Sequence, residues 1–153
     1  MQRRRRVRLV AVGLALAVGA SPILTDAGIA VLKPLGWVEG RCRVLRVVDG
    51  DTVELSCSGI GVQRARLQGF DTPELFSPGC NAERRAALAA KWALRGILLS
   101  AEVLRVRFDG EDRYGRRLAQ VWVEGRPLSA IMVERGHARA YDGGSRMGWC
   151  DAA

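Results

Sequence analysis

Three short runs hold the residue types that could handle a phosphodiester. Asp49-Gly50-Asp51-Thr52 comes first, Asp71-Thr72-Pro73-Glu74 second and Asp112-Arg113-Tyr114-Gly115-Arg116 third, with Arg66 just ahead of the second run. Asp51 and Asp71, at the ends of neighbouring strands, would supply oxygen ligands to a hard cation. Calcium tolerates variable geometry and accepts backbone carbonyls, which makes the Thr72 carbonyl a third ligand. Pro73 fixes its own φ and pushes Thr72 out of the helical region, which stiffens the link from Asp71 to Glu74. Glu74 is then placed to orient or deprotonate a water for in-line attack on phosphorus. Arg66 and Arg116 have the planar fork that bonds two nonbridging phosphate oxygens, and their charge opposes that of a five-coordinate phosphorus. Each residue also has a plainer reading, with Asp49 and Asp51 as turn residues and Glu74 as a solvated loop charge. The one histidine, His137, follows a helix-stopping glycine without a second nitrogen or sulfur ligand beside it, and reads as structural. That argues against a histidine–metal hydrolytic centre.

The 153 residues suggest one folded domain behind an export signal. Four consecutive arginines near the start precede Leu9 to Ala20, which carries no charge. Residues 1–22 therefore read as a signal peptide, with Val18-Gly19-Ala20 as a cleavage site, or as an N-terminal inner-membrane anchor. Residues 23–40 read as a linker and residues 41–150 as the domain, secreted, periplasmic or held at the membrane outside the cytoplasm. Cys42, Cys57, Cys80 and Cys150 agree with export, since an even count in an oxidising compartment reads as two disulfides. Net charge is +8, but residues 1–40 hold six basic and two acidic side chains, so half of the excess belongs to the leader. The domain is only moderately basic, which suits a polyanion without requiring one.

Strands are expected at Arg41–Val48, Asp51–Cys57, Ile60–Leu67, Glu102–Phe108 and Arg117–Val123. A long helix capped by Asn81 runs to about Leu99, with Leu88, Trp92, Leu94, Leu98 and Leu99 on its apolar face and Lys91 and Arg95 snorkelling at its edge. A short helix follows Pro127 and ends at Glu134. Gln68 to Cys80 is expected to be irregular. Five strands with a helix inserted after the third predict an α+β fold built on a closed five-stranded oligonucleotide-binding barrel (OB-fold). If Asp49-Gly50 is a strict two-residue turn, Cys42 faces Cys57, and Cys80–Cys150 follows by elimination.

On these motifs the chain resembles the staphylococcal nuclease (thermonuclease) family. The likeness runs from about Val44 to Tyr141 and rests on Val48-Asp49-Gly50-Asp51-Thr52-Val53, on Arg66-Leu67 through Asp71-Thr72-Pro73-Glu74, and on Asp112-Arg113-Tyr114-Gly115-Arg116. The resemblance implies an OB-fold barrel and a calcium-dependent nuclease that cuts DNA and RNA and leaves 3′-phosphate ends. It places calcium on Asp51, Asp71 and the Thr72 carbonyl, the water-orienting acid on Glu74, phosphate contacts on Arg66 and Arg116, and a substrate-proximal tyrosine on Tyr114. Two departures are visible. Leu75 to Asn81 is short where the family enzyme has a basic loop, and the chain closes with Tyr141 to Cys150 where that enzyme has a third helix. Trp149 and Cys150 are expected to cover the core there, while Tyr141 either stacks on a base or packs. The expected partner is single-stranded or frayed DNA or RNA, bound by a monomer with no obligate protein partner. A non-catalytic nucleic-acid-binding module of the cell envelope is the alternative.

Overall fold

The computed structural model describes residues 42–150, and the predicted leader and linker lie outside the described residues. Chain order gives β1 (Cys42–Val47), β2 (Thr52–Cys57), β3 (Gly61–Leu67), β4 (Gly69–Asp71), a long helix α1 (Asn81–Ser100), β5 (Leu104–Glu111), β6 (Arg117–Val123), β7 (Arg126–Pro127), a short helix α2 (Leu128–Glu134) and β8 (Arg139–Tyr141). The fold is α+β, as expected.

The closed barrel is not formed. The main sheet is mixed and six-stranded, in the order β1-β2-β3-β6-β5 with β7 on the edge of β6, and among the described residues β5 does not pair back onto β1. A local cause keeps it open: Gly69, at a φ of +91, turns the chain out of β3, so that β4 leaves the main sheet and pairs antiparallel with β8. Helix α1 packs on the sheet, with Ala90, Leu94, Ile97 and Leu98 in one core with Val53, Leu55 and Leu67. The expected stretch of irregular chain from Gln68 to Cys80 thus contains a strand, and β8 is a second three-residue strand that alternation could not reveal.

The apolar face of α1 also differs from expectation. Ala87, Ala90, Leu94, Ile97 and Leu98 are buried, while Leu88 and Trp92 are exposed. The alanines explain this, because a helix can approach a sheet most closely where its side chains are smallest. The Arg95 guanidinium sits 5.1 Å over the outward-facing Trp92 ring. Cys80, not Asn81, caps the helix: its sulfur accepts from the Glu83 N–H at 3.4 Å.

The first hairpin reaches its predicted pairing by a different route. Cys42 is the Cα partner of Cys57, yet Val47 pairs with Val53, so the loop is not a two-residue turn. Val48 and Asp49 both donate to the Thr52 carbonyl, at 2.8 and 3.3 Å, leaving Asp49, Gly50 and Asp51 as the turn. A bulge between Val44 and Arg46 absorbs the extra residue and restores the register. Cys57 is disulfide-bonded. Cys80 and Cys150 form a disulfide with Cα atoms 6.0 Å apart.

Candidate functional site

The turn and the strand ends build the first half of the site. The Asp49 carboxylate accepts the Asp51 N–H at 3.1 Å, and the Asp51 carbonyl accepts the Leu67 N–H at 2.7 Å. Asp51 is thereby tied to the end of β3, one residue beyond Arg66. Gly50 sits against the next segment: a Cβ there would lie 2.6 Å from Thr72 Oγ1 and 2.9 Å from the Ala90 Cβ. This close approach brings the turn, the Asp71–Thr72 segment and α1 together.

Arg66 bridges the two predicted metal-binding acids. Its Nη1 lies 2.9 Å from Asp51 Oδ2 and its Nη2 3.6 Å from Asp71 Oδ1. Both aspartates and Thr72 are buried. Asp71 Oδ1 and Arg66 Nη2 are also buried without a hydrogen bond. Burial pushes the Asp51 carboxyl up to about 6; Arg66 and the Thr52 hydroxyl oppose that rise, while Asp49 and Asp71 add to it. Two buried acids side by side, with Asp71 Oδ1 making no hydrogen bond although guanidinium groups lie near it, fit a hard cation, which would satisfy that oxygen. Asp51, Asp71 and the Thr72 carbonyl are the residues that would hold it.

The third run forms the opposite wall. Asp112 organises it: Oδ1 accepts the N–H groups of Tyr114 and Arg116 at 2.9 and 3.0 Å, and Oδ2 accepts Arg116 Nε at 2.7 Å. Burial would raise the Asp112 carboxyl, but the bonds from Arg116 and Tyr114 outweigh it and hold the group below its ordinary value. Arg116 Nη1 donates to Thr52 Oγ1 at 3.5 Å, and that hydroxyl donates to Asp51 Oδ1 at 3.0 Å. The parallel pairing of β3 with β6, Arg66 opposite Leu118, brings the two arginine-bearing segments side by side.

An open cleft of about 1700 Å³ runs between these walls, lined by Asp51, Arg66, Glu74, Tyr114, Arg116 and Tyr141 among others. Asp71 and Thr72 lie buried behind this lining. Glu74 presents an exposed side chain to the cleft, and its Oε1 accepts the Phe76 N–H at 3.2 Å. Tyr114 is 69% exposed, with Arg113 and Arg116 guanidinium groups 4.8 and 5.6 Å from its ring centre. Tyr141 is half-buried and donates to the Gly144 carbonyl at 2.8 Å, so its hydroxyl holds the following loop. His137 is half-buried outside the cleft lining.

Three residues outside the set expected from the sequence contact the site. Glu83 is buried and accepts the N–H groups of Glu74 at 3.1 Å and Gly79 at 2.7 Å, which ties down the loop carrying Glu74. Its signal was available: an acid three positions after a helix cap is placed to reach back to the preceding N–H groups. Arg146 Nε lies 3.2 Å from Asp71 Oδ1, and Trp149 Nε1 donates to Asp71 Oδ2 at 3.3 Å. Trp149 therefore sits on a site carboxylate, where the expectation was a cover for the core. No local motif announces a contact across 78 positions.

A second group with metal-ligand spacing, Cys80, Glu83 and Cys150, has its ligand atoms within 4.8 Å of one another. The disulfide removes both thiolates from it, and the Glu83 oxygens are engaged by backbone donors. With the disulfide closed, this group offers no thiolate to a cation.

Comparison with known proteins matches residues 64–147 to the family described as staphylococcal nuclease homologue. "Protein ParB" of Escherichia coli is 35% identical over 153 aligned positions, covering 92% of this chain and 73% of that protein. The thermonuclease of Staphylococcus hyicus is 31% identical over 137 positions, covering 86% and 78%. The thermonuclease of Staphylococcus intermedius is 34% identical over 99 positions, covering 63% and 57%.

Proposed function

This chain belongs to the staphylococcal nuclease family of nuclease-type phosphodiester hydrolases, and from that premise we propose a calcium-dependent nuclease acting on single-stranded or frayed DNA or RNA. The observation that carries the proposal is convergence: Asp51, Arg66, Glu74 and Arg116, from separate segments, line one cleft with Asp71 directly behind it. Phosphate contacts carry no sugar or base code, so both nucleic acids remain substrates.

Asp51, Asp71 and the Thr72 carbonyl would hold calcium, and the cation would supply positive charge to offset that of the phosphodiester. Glu74 accepts the proton of a water whose oxygen forms the new bond to phosphorus. The bond from phosphorus to the 5′-oxygen breaks in line, that oxygen takes up a proton, and the phosphate stays on the 3′ side. Arg66 and Arg116 donate to the nonbridging oxygens as charge builds on them. The Arg66 guanidinium is shared between the two aspartates. Tyr114, exposed at the rim and flanked by two guanidinium groups, offers a ring face to a base.

Export through residues 1–22, with residues 23–40 as tether, is part of the same proposal. The Cys80–Cys150 disulfide supports a destination outside the cytoplasm. The test is to incubate the purified protein with a labelled single-stranded oligonucleotide, first with calcium and then with chelator. Cleavage to 3′-phosphate products that stops on chelation is expected. Binding without cleavage would make the protein a non-catalytic nucleic-acid-binding module, and neither binding nor cleavage would overturn the reading altogether.

A further inference from the structure

The last described residues form a strap across the rear of the site. Cys150 is fixed to the start of α1 through Cys80, and Cys150 Sγ lies 3.7 Å from Glu83 Oε2, a contact that carries no proton because the sulfur is in a disulfide. Trp149 is then held on three sides. Its neighbour is covalently tied, the Arg139 guanidinium lies 3.9 Å from its ring centre, and Arg139 Nη1 donates to the Gly148 carbonyl at 2.8 Å. Arg139 is itself the strand partner of Asp71 in the β4–β8 pair. The indole N–H that emerges from this arrangement points at one oxygen of Asp71, at 3.3 Å. The other oxygen faces Arg146 Nε at 3.2 Å, from a half-exposed side chain that also lies 5.3 Å from the Tyr141 ring centre.

These two partners are chemically unlike. An indole N–H is neutral, so it orients a carboxylate without cancelling its charge. A guanidinium orients the carboxylate but also neutralises it, and it repels a cation arriving at the same oxygen. We propose that the strap sets the calcium affinity of the site through Asp71, with Trp149 as a positioning residue that favours binding and Arg146 as a competitor that opposes it. The inference rests on the reading of Asp51 and Asp71 as calcium ligands and adds the residues that tune one of them. Partners behind a metal ligand typically change affinity by about 10–100-fold when removed.

Calorimetric titration of calcium into the full chain with its disulfides intact tests this. Trp149→Phe should weaken the dissociation constant by roughly tenfold. Arg146→Gln should tighten it by roughly fivefold, through loss of a like charge a few ångströms from the ion. The opposite signs distinguish the proposal from damage to the fold, which would weaken both variants together. Circular dichroism and thermal midpoints in chelator check that each variant is folded. Equal dissociation constants for wild type and both variants, or weakening in both, would overturn the inference while leaving a calcium-binding wild type intact as a nuclease. A wild type that takes up no calcium would instead remove the metal reading itself, and this inference with it.

Discussion

At the scale of single residues, the buried acid pair makes the site sensitive to protons. The Asp51 carboxyl is pushed up to about 6, first by burial. A group raised on folding binds more protons in the folded state, so its contribution to the metal-free domain is fully present below the ordinary value of 3.8 and is lost as pH rises through about 6. Calcium needs the ionised form. Its affinity should therefore run the other way, and at about pH 5 the dissociation constant should be roughly tenfold weaker than at about pH 7.5, measured by titration calorimetry. Asp51→Asn should remove most calcium-dependent cleavage with an unchanged circular dichroism spectrum, and an unaltered calcium midpoint would rule out its role as ligand. Among the described residues, the Glu74 carboxylate accepts the Phe76 N–H and is paired with no basic side chain. Glu74→Gln should lower single-turnover cleavage by at least about 100-fold while oligonucleotide affinity stays within error of wild type. Cleavage at the wild-type rate would show that another group handles the water.

At the scale of elements, the site depends on close approaches that tolerate no added bulk. Gly50 does not have a positive φ, so alanine there would meet no backbone strain; the obstacle is Thr72 Oγ1 at 2.6 Å and Thr72 Cβ at 2.8 Å from the new methyl. Gly50→Ala should cost about 1–3 kcal/mol in denaturant unfolding and weaken calcium binding, because Thr72 must move. The Cys80–Cys150 bond closes a separation of 70 residues, which the chain-entropy model values at about 4 kcal/mol. Replacing both cysteines by serine should lower stability by an amount of that order, read from urea midpoints. The elements long enough to show a period, such as β2 and β6, lie where alternation places them. Three-residue β4 and β8 have no period to show, yet their pairing decides that the sheet stays open and that the C-terminal strap reaches Asp71. The Cys42–Cys57 register was right for an incomplete reason, since a longer turn and a bulge cancel. On α1, bulk misled: large Leu88 and Trp92 looked inward by type, whereas small Ala87 and Ala90 are the residues that dock. Asp51, Asp71, Glu74 and Arg116 could be singled out from the sequence because each belongs to a short run with its own turn chemistry, and Arg66 because it lies just ahead of one. Glu83, Arg146 and Trp149 act on that set only through tertiary contacts.

For the whole molecule, charge predicts how strongly salt acts on binding. The net charge of +8 overstates the charge available to a substrate, since half of it lies in residues 1–40. If Arg66 and Arg116 are the main phosphate contacts, the plot of log affinity against log salt should have a slope of only about −1.4, at roughly −0.7 per phosphate on a single strand. The Glu74→Gln variant allows this to be measured with calcium present and cleavage suppressed. A much steeper slope would place further basic residues along the path of the strand.

The pairing of β4 with β8 has a consequence for the order of events during synthesis. A nascent chain that has emerged only as far as residue 135 already carries Asp51, Arg66, Asp71, Glu74 and Arg116. Its Asp71 strand still lacks a partner, because β8 begins at Arg139, and the donors at Arg146 and Trp149 have not yet been added. Cys80 must also wait until position 150 is made before it can find its partner. A growing polypeptide that stops at residue 135 would lack the contacts that hold Asp71, so the proposed site would be incomplete until the final stretch is in place. Ribosome-stalled chains ending at about residue 135 and about residue 150, held under oxidising conditions with the last residues clear of the exit tunnel, should differ sharply in calcium-dependent cleavage. Equal activity in the two would mean that the site completes itself without its last segment.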